Sequence, residues 1–358
     1  MPDKAKSDTM SKSTVMKAII LVGGEGTRLR PLTYTTVKAM VPILNKPFIE
    51  HVINYLRSHE ITEVILAMGY KPDVIKEYFN NHPMSTSLIY SVEETPLGTA
   101  GAVKYAQQHI NDTFFVFNGD IFCDVNLTDM LRFHQKHRSA ATIALTPVDD
   151  PSQFGVIETD NNQRVKRFIE KPKREEAPSN MINAGIYILE PEIFDRIPHG
   201  EKCMFEHNVF PSLIADNKPV FGYPAESAYW IDAGTPQKYM QLNFDLLNNK
   251  SSQIYSRKSE IITGDNTGIH QTARMFPPVL IERKCMIDED VHIVGPAILG
   301  EGCKIGKGAI IENSILWENV EIGQKATVKN SILGTNNVIR DHETIDRQVI
   351  GSDTKKNT

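Results

Sequence analysis

The densest chemistry in the chain lies directly behind its first apolar run. KAIILV (17–22) is followed by Gly23-Gly24-Glu25-Gly26-Thr27-Arg28-Leu29-Arg30-Pro31-Leu32-Thr33. Glycines in that place let backbone N–H groups approach a phosphate or a base and form an anion-binding concavity. No Gly-Lys-Ser/Thr follows, so this is not a Walker A loop, and it is a poor dinucleotide fingerprint. Glycines alone would describe a tight turn equally well. Two cations add the chemistry, Arg28 just beyond the glycines and Lys38 ten residues later. A triphosphate requires fixed positive charge at both the transferred and the departing phosphates, although either residue alone would be an ordinary solvated cation. Two carboxylates stand in comparable places. Asp120 ends TFFVFNGD (113–120), and Asp232 ends the apolar run Tyr229-Trp230-Ile231. One carboxylate from each of two distant segments can hold a Mg²⁺ that also takes phosphate oxygens and keeps several waters. Each Asp alone reads equally as a cap or turn residue.

These side chains need a scaffold, and the surrounding pattern supplies one. From Lys17 to Leu247 short apolar runs alternate with helix-period segments, the pattern of an α/β domain with a mostly parallel sheet. KAIILV reads as a buried parallel strand, and Phe48, Val52, Ile53 and Leu56 recur at helical spacing. EVILAMGY (63–70) and SLIYSVEE (87–94) read as strands around the helical DVIKEYFNNH (73–82), and Thr99 as the N-cap of a further helix. TFFVFNGD is expected as a central strand, with Asp120 at the carboxyl edge where open α/β sheets bind ligands. After Pro147 the helices thin out. ATIALTPV, VIETD, RVKRFIEKP and AGIYILEP are expected to extend the same sheet, and KYMQLNFDLLNN (238–249) to close the domain.

Residues 250–278 are polar and irregular, end in Pro277-Pro278, and read as a linker. Beyond them the period changes. Ile281, Ile287, Ile293, Leu299, Ile305, Ile311 and Trp317 fall at an unbroken six-residue spacing. That is the signature of a β-helix whose coils are triangles of short strands, with the periodic apolar residue pointing into the prism. The spacing becomes irregular past Trp317, so about four coils are expected. The expected order is a flexible leader (1–15), a catalytic domain (16–249), a linker (250–278), a hexapeptide β-helix (279–351) and a flexible tail (352–358).

GGEGTRLRPLT with Lys38 resembles the signature of the sugar-1-phosphate nucleotidyltransferases, the nucleoside-diphosphate-sugar pyrophosphorylases. EETPLGTAG (93–101), DDPSQFGVIE (149–158), EKPK (170–173), NAGIYIL (183–189) and WIDAGTP (230–236) extend the likeness over nearly all of the chain past the leader. Within the family the likeness is nearest to the mannose-1-phosphate guanylyltransferases. The resemblance implies a Rossmann-like domain followed by a short left-handed β-helix. It also implies in-line transfer of a nucleotidyl group from a nucleoside triphosphate, here GTP, to a sugar 1-phosphate, here mannose 1-phosphate, with release of pyrophosphate. In that picture Arg28 and Lys38 hold the triphosphate, and Asp120 and Asp232 hold Mg²⁺. Lys171 holds the sugar phosphate, Glu170 and Asn183 bond sugar hydroxyls, and Gly155 lets backbone approach the sugar. Leu21, Gly23, Gly24, Gly26, Thr27, Pro96, Gly98, Thr99, Asn118 and Gly119 line the nucleotide, with Glu94 as a carboxylate able to accept from guanine N1–H and N2–H₂. Uridylyl, thymidylyl, cytidylyl or adenylyl transfer to glucose 1-phosphate are the alternatives within the family.

Composition bounds these readings. The chain has 358 residues, 41% hydrophobic and 23% charged, with a formal charge of −5. A balance this acidic argues against binding nucleic acid through bulk electrostatics, since the phosphate backbone rewards clustered Lys and Arg. No apolar run approaches the roughly 20 residues that span a bilayer, and residues 1–15 lack the apolar segment of a secretory signal. Cys123, Cys203, Cys285 and Cys303 form no C-x-x-C pair and read as reduced thiols of a cytoplasmic protein. The repeat also suits an acyltransferase with His292 as base, but an array this short fits an assembly platform better, and a homo-oligomer is expected. A non-catalytic nucleotide-sugar sensor on the same fold would be expected to lose Arg28, Lys38, Asp120, Lys171 or Asp232, all of which are present.

Overall fold

In a computed structural model, which describes residues 16–251 and 260–353, the first apolar run forms β1 (Lys17–Leu21). The expected leader, residues 252–259 of the expected linker and residues 354–358 of the expected tail lie outside the described residues. Behind β1 the glycine-rich segment makes two 3₁₀ turns, Thr27–Leu29 and Lys38–Met40. A small hairpin of β2 (Pro42–Ile43) and β3 (Lys46–Pro47) then leads into α1 (Phe48–Ser58). The chain continues through β4 (Glu63–Met68), α2 (Pro72–Asn81), β5 (Ser87–Val92), α3 (Gly98–Tyr105), β6 (Phe114–Asn118) and β7 (Ile121–Cys123). Next come α4 (Leu127–His137), β8 (Ala141–Pro147), β9 (Gly155–Thr159), β10 (Val165–Glu170) and β11 (Met181–Leu189). Finally α5 (Phe210–Ala215), β12 (Val220–Pro224), β13 (Trp230–Asp232) and α6 (Pro236–Leu247) complete the unit.

The main sheet runs β10-β9-β11-β6-β1-β4-β5, with β8 and β12 continuing from β11. β6, β1, β4 and β5 are parallel, whereas β11 pairs antiparallel with both β6 and β8. The β-rich second half therefore extends the same sheet. Its central strands are apolar on both faces because both are covered. In β1, Ala18 and Ile20 enter one core, packed by α1, and Ile19 enters the other, under α3 and α5. The sequence reading assigns no helix to 127–137, and the reason is visible in α4. It buries only Leu127, Met130 and His134, and its start is fixed by Asn126, which accepts from the Asp129 N–H.

The carboxyl ends of β1 and β6 meet where the order of strands reverses, β4 lying on one side of β1 and β6 on the other. There the Gly119 N–H donates to Leu21 O at 2.9 Å. A Cβ on Gly119 would stand 2.5 Å from that oxygen, so only glycine closes this corner.

The C-terminal region is a prism of parallel strands in three sheets of six, five and five strands. Its first coil spans Ile261–Thr263, Gly268–Ile269 and Arg274–Phe276, each paired with the strand one coil on. This corrects the linker over 250–278, since residues 261–276 are already β-helix and raise the array from four coils to five. Polar outward residues and a prism interior shared with Ala273 and Met275 hid this coil from the sequence. At the other end, Ser352 and Asp353, expected in the tail, bond to Thr335 of the preceding coil.

A second correction concerns Trp317. Val294 pairs with Glu312, eighteen residues on, but Ile298 pairs with Ile315, seventeen on. The corner at Asn313 is thus one residue shorter than that at Gly295-Pro296. Leu316 takes the inward place opposite Leu299, and Trp317 points out of the prism. Leu280, Ile298, Ile315 and Ile332 also point outward, alternating with inward residues, and join Trp317 in one core with Tyr239, Leu242 and Leu246 of α6. The prism is docked on the α/β unit by this face.

Gly119→Ala is expected to cost about 1–3 kcal/mol through overpacking, read as a lower midpoint in chemical denaturation. A midpoint equal to that of the wild type would show that the corner has room to spare.

Candidate active site

A cavity of about 330 Å³ opens at the β1/β6 corner. Leu21, Val22, Gly23 and Gly24 form one wall, Asn118, Gly119 and Asp120 another, and Glu93, Pro96, Gly98, Thr99 and Met204 face them. Lys38 and Ala39 close the mouth. Ten of the sequence-predicted residues are brought together here: Leu21, Gly23, Gly24, Lys38, Pro96, Gly98, Thr99, Asn118, Gly119 and Asp120.

At the mouth one ammonium group faces two carboxylates. Lys38 Nζ donates to Asp120 Oδ2 at 2.8 Å and to Asp232 Oδ1 at 3.5 Å. The two acids are 112 positions apart, and backbone pairing brings them together. β13 runs antiparallel to β7 with Asp232 opposite Ile121, and Ala233 N–H donates to Asp120 O. Asp232 Oδ2 is approached by Arg28 Nη2 at 3.8 Å and by Lys238 Nζ at 4.0 Å, while Lys38 holds Oδ1. Three cations therefore surround a carboxylate only 14% exposed, while the Arg28 side chain is 67% exposed.

Gly26 and Thr27 do not line the cavity. Gly26 is left-handed (φ 67°), its carbonyl accepts from Thr33 Oγ1, and a Cβ there would press on Lys38 Cβ at 3.0 Å. Its effect on the site is to let the turn pack against the lysine. Thr99 is not an N-cap either. It lies one residue inside α3, whose cap position is Leu97, and its hydroxyl donates to Glu206 and accepts from Phe205 N–H.

The carboxylate on the cavity wall belongs to the neighbour of Glu94. Glu94 is exposed and absent from the cavity wall, whereas Glu93 is half-buried and lines it. Glu93 directly follows β5 and its N–H donates to Met68 O at 2.9 Å, continuing the ladder, whereas Glu94 lies in the bend that follows. Sequence alone offered adjacent glutamates with nothing to separate them. Glu93 accepts from Leu97 N–H at 3.2 Å, and burial raises its pKa above the usual carboxylate range. Val22, Ala39, Ala67, Ala102 and Met204 complete the wall with no signal in the sequence beyond their apolar character.

The sugar-side candidates sit on the antiparallel half. Glu170 is the register partner of Gly155, and a Cβ on Gly155 would stand 2.8 Å from the Glu170 carboxylate and 2.7 Å from the Phe168 ring. The missing Cβ therefore makes room for those two side chains. Lys171, also left-handed, pairs with Glu170 at 3.5 Å and is 63% exposed. Asn183 is committed to its own strand, since Nδ2 donates to Tyr187 OH and Oδ1 accepts from Gly185 N–H. That bulge in β11 packs against Asn118 and is held by Trp230 Nε1–H on Ala184 O. It joins the sugar-side strands to the carboxylate corner.

The model of the nucleotidyl transferase family matches residues 17–249, and that of the EIF2B subunit epsilon LbH domain, a left-handed β-helix, matches residues 258–355. The chain belongs to the nucleotidyl transferase family. Among the similar proteins, this nucleotidyl transferase is 35% identical to the mannose-1-phosphate guanylyltransferase of Mycobacterium tuberculosis, over 82% of each chain. It is 37% identical to the mannose-1-phosphate guanyltransferase of Pichia angusta, over 84% of this chain and 82% of that one. It is 34% identical to a UTP–glucose-1-phosphate uridylyltransferase of Synechocystis, with the same coverage. Among solved structures, HddC from Yersinia pseudotuberculosis complexed with GMP-PN superposes with a TM-score of 0.56 at 30% identity, covering 64% of this chain and 98% of that one. Substrates in this family are a nucleoside triphosphate and a sugar phosphate, and its members generally use a divalent metal. Among the described residues no helix is long and apolar enough to cross a membrane.

The carboxylate pair fits such a metal. Both acids offer hard oxygen donors and already share one cation, the Lys38 ammonium. No third His, Cys, Asp or Glu joins them among the described residues, which suits an ion that takes its other ligands from phosphate and water. Asp120→Ala or Asp232→Ala is expected to lower kcat by about 10²–10³-fold, as loss of one preorganised electrostatic contact does, with the fold intact by circular dichroism. Wild-type turnover in both variants would refute the assignment.

Proposed function

We propose that this nucleotidyl transferase makes GDP-mannose from GTP and mannose 1-phosphate, releasing pyrophosphate. The observation that carries the reading is the Lys38 ammonium set between Asp120 and Asp232 at the mouth of a cavity whose inner wall presents the Glu93 carboxylate. The first two relatives named above bear the same activity in their names.

In this reading the base enters between the Leu21–Gly24 wall and Glu93. Guanine offers two donors on one edge, N1–H and N2–H₂, and a carboxylate accepts both. Uracil offers a single N–H flanked by carbonyl oxygens that a carboxylate repels. A phosphate monoester dianion is itself a competent nucleophile, so no general base is required. One of its oxygens attacks the α-phosphorus of GTP, and the bond to the β-phosphate oxygen breaks as pyrophosphate leaves. The chain's part is placement and charge. Lys38 and the exposed Arg28 neutralise the triphosphate and the departing pyrophosphate. Lys171, released from Glu170, holds the sugar phosphate, while Glu170 accepts from sugar hydroxyls. Asn183 shapes the sugar side through its bulge. Asn118, whose Oδ1 is buried with no hydrogen-bond partner among the described residues, stands on the cavity wall. Mg²⁺ held by Asp120 and Asp232 would supply further positive charge to the reacting phosphates.

Two outcomes are expected. In a panel of nucleoside triphosphates crossed with sugar 1-phosphates, pyrophosphate release requires Mg²⁺ and is fastest with GTP and mannose 1-phosphate. No turnover with any pair would sink the enzymatic reading, and a preference for UTP would sink the guanylyl one. Glu93→Gln, which replaces one acceptor by a donor, should lower kcat/KM for GTP about ten- to a hundredfold, the worth of a hydrogen bond to a charged group. The loss with UTP should be smaller. An unchanged GTP-to-UTP ratio would remove Glu93 from base selection.

A further inference from the structure

Among its described residues, the β-helix contributes none of the side chains placed at the catalytic cluster, yet it is bonded to the segment that carries Lys38. Trp317 Nε1–H donates to the hydroxyl oxygen of Tyr239 at 2.9 Å, and the Tyr239 hydroxyl donates to Pro42 O at 2.6 Å. Both partners are buried, Tyr239 completely. The phenol has one proton, and Pro42 takes it. Its oxygen is thereby turned to accept from the indole, so the two bonds fix the hydroxyl and, through it, the Pro42 carbonyl. Pro42 lies two residues past the 3₁₀ turn that starts at Lys38.

The same segment is gripped at further points. Asn243 on α6 accepts from Leu44 N–H, and Asn45 Nδ2 donates to Leu299 O of the prism. α6 itself starts four residues after Asp232, with Thr235 as its N-cap. One helix therefore ties the chain behind Asp232 to the chain behind Lys38, and the prism braces both.

We propose that Trp317 and Tyr239 are positioning residues for Lys38, and that the docked β-helix sets the lysine's place between Asp120 and Asp232 through the chain Trp317–Tyr239–Pro42. The consequence for turnover rests on the reading of Lys38 as a triphosphate ligand. The consequence for the lysine's own environment does not. Position matters at this scale because misplacement of about 1 Å can cost about 10²-fold in rate.

The test uses the full chain with Trp317→Phe, which keeps a buried aromatic ring and removes the N–H. Lys38 is 13% exposed and Lys304, on the far prism, 64%, so amine labelling by a succinimidyl ester, read by peptide mass spectrometry, compares the two within one sample. Lys38 labelling is expected to rise about threefold or more as its segment loosens, with Lys304 unchanged. kcat should fall about three- to tenfold while KM for GTP holds. Tyr239→Phe should reproduce both effects, and the double variant should be no worse than Tyr239→Phe alone, as residues in one chain of contacts are. Should Trp317→Phe fail to fold, Tyr239→Phe carries the labelling test. Wild-type Lys38 labelling in the folded variants, or losses that add in the double variant, would overturn the proposal. Absence of turnover in the wild type would overturn the functional reading, and labelling would still decide this one.

Discussion

One ammonium group shared by two carboxylates organises the active site. Lys38 sits between Asp120 and Asp232, and the acids would repel each other across the same small space without a cation between them. Everything nearby serves that arrangement. Gly119 lets β1 and β6 close at the corner, β13 pairs with β7 to bring Asp232 beside Asp120, and Gly26 lets the turn pack on the lysine. The charged groups are therefore already paired in place, three cations against two carboxylates. Adding polyanionic phosphates and a divalent ion redistributes contacts among groups already in place, which is how electrostatic preorganisation avoids reorganisation during reaction.

The two halves of the sheet divide the labour. The parallel half provides the cavity at its carboxyl edge, where loops from β1, β5 and β6 converge. The antiparallel half provides Gly155, Glu170, Lys171 and the β11 bulge. Pairing of β11 with β6 makes these parts of one continuous sheet. The β-helix is a third layer. Its outward apolar residues fuse with those of α6 into a single core, which makes the prism part of the catalytic unit's packing.

Much of this was legible in the linear chain. The α/β alternation, the six-residue period, the glycine-rich loop, Lys38 and both aspartates are local signals, and each depends on residues close in sequence. What escaped depended on the path of the chain in three dimensions. Glu93 and Glu94 are chemically equivalent neighbours, and the point just past β5 where the ladder ends and the chain bends decides which faces the cavity. Trp317 follows the six-residue count, but a corner shortened by one residue moved Leu316 inward and turned the tryptophan toward α6. Thr99 has the chemistry of an N-cap, and its hydroxyl was claimed by Glu206 and Phe205 from a distant segment.

The sequence by itself determined which groups are available: a glycine-rich loop behind the first strand, three cations in Arg28, Lys38 and Lys171, two aspartates that end apolar runs, and a prism to follow. Its net charge of −5 already required those cations to act locally, because a mildly acidic surface does not draw polyanions by its overall field. Only the tertiary structure decided which groups share a charge. Asp120 and Asp232 meet on Lys38 because strands far apart in sequence pair at one edge of the sheet. Arg28 reaches the same Asp232 from the turn behind β1. Coulombic coupling falls with distance and rises with burial, and both are properties of the fold that residue types alone do not contain.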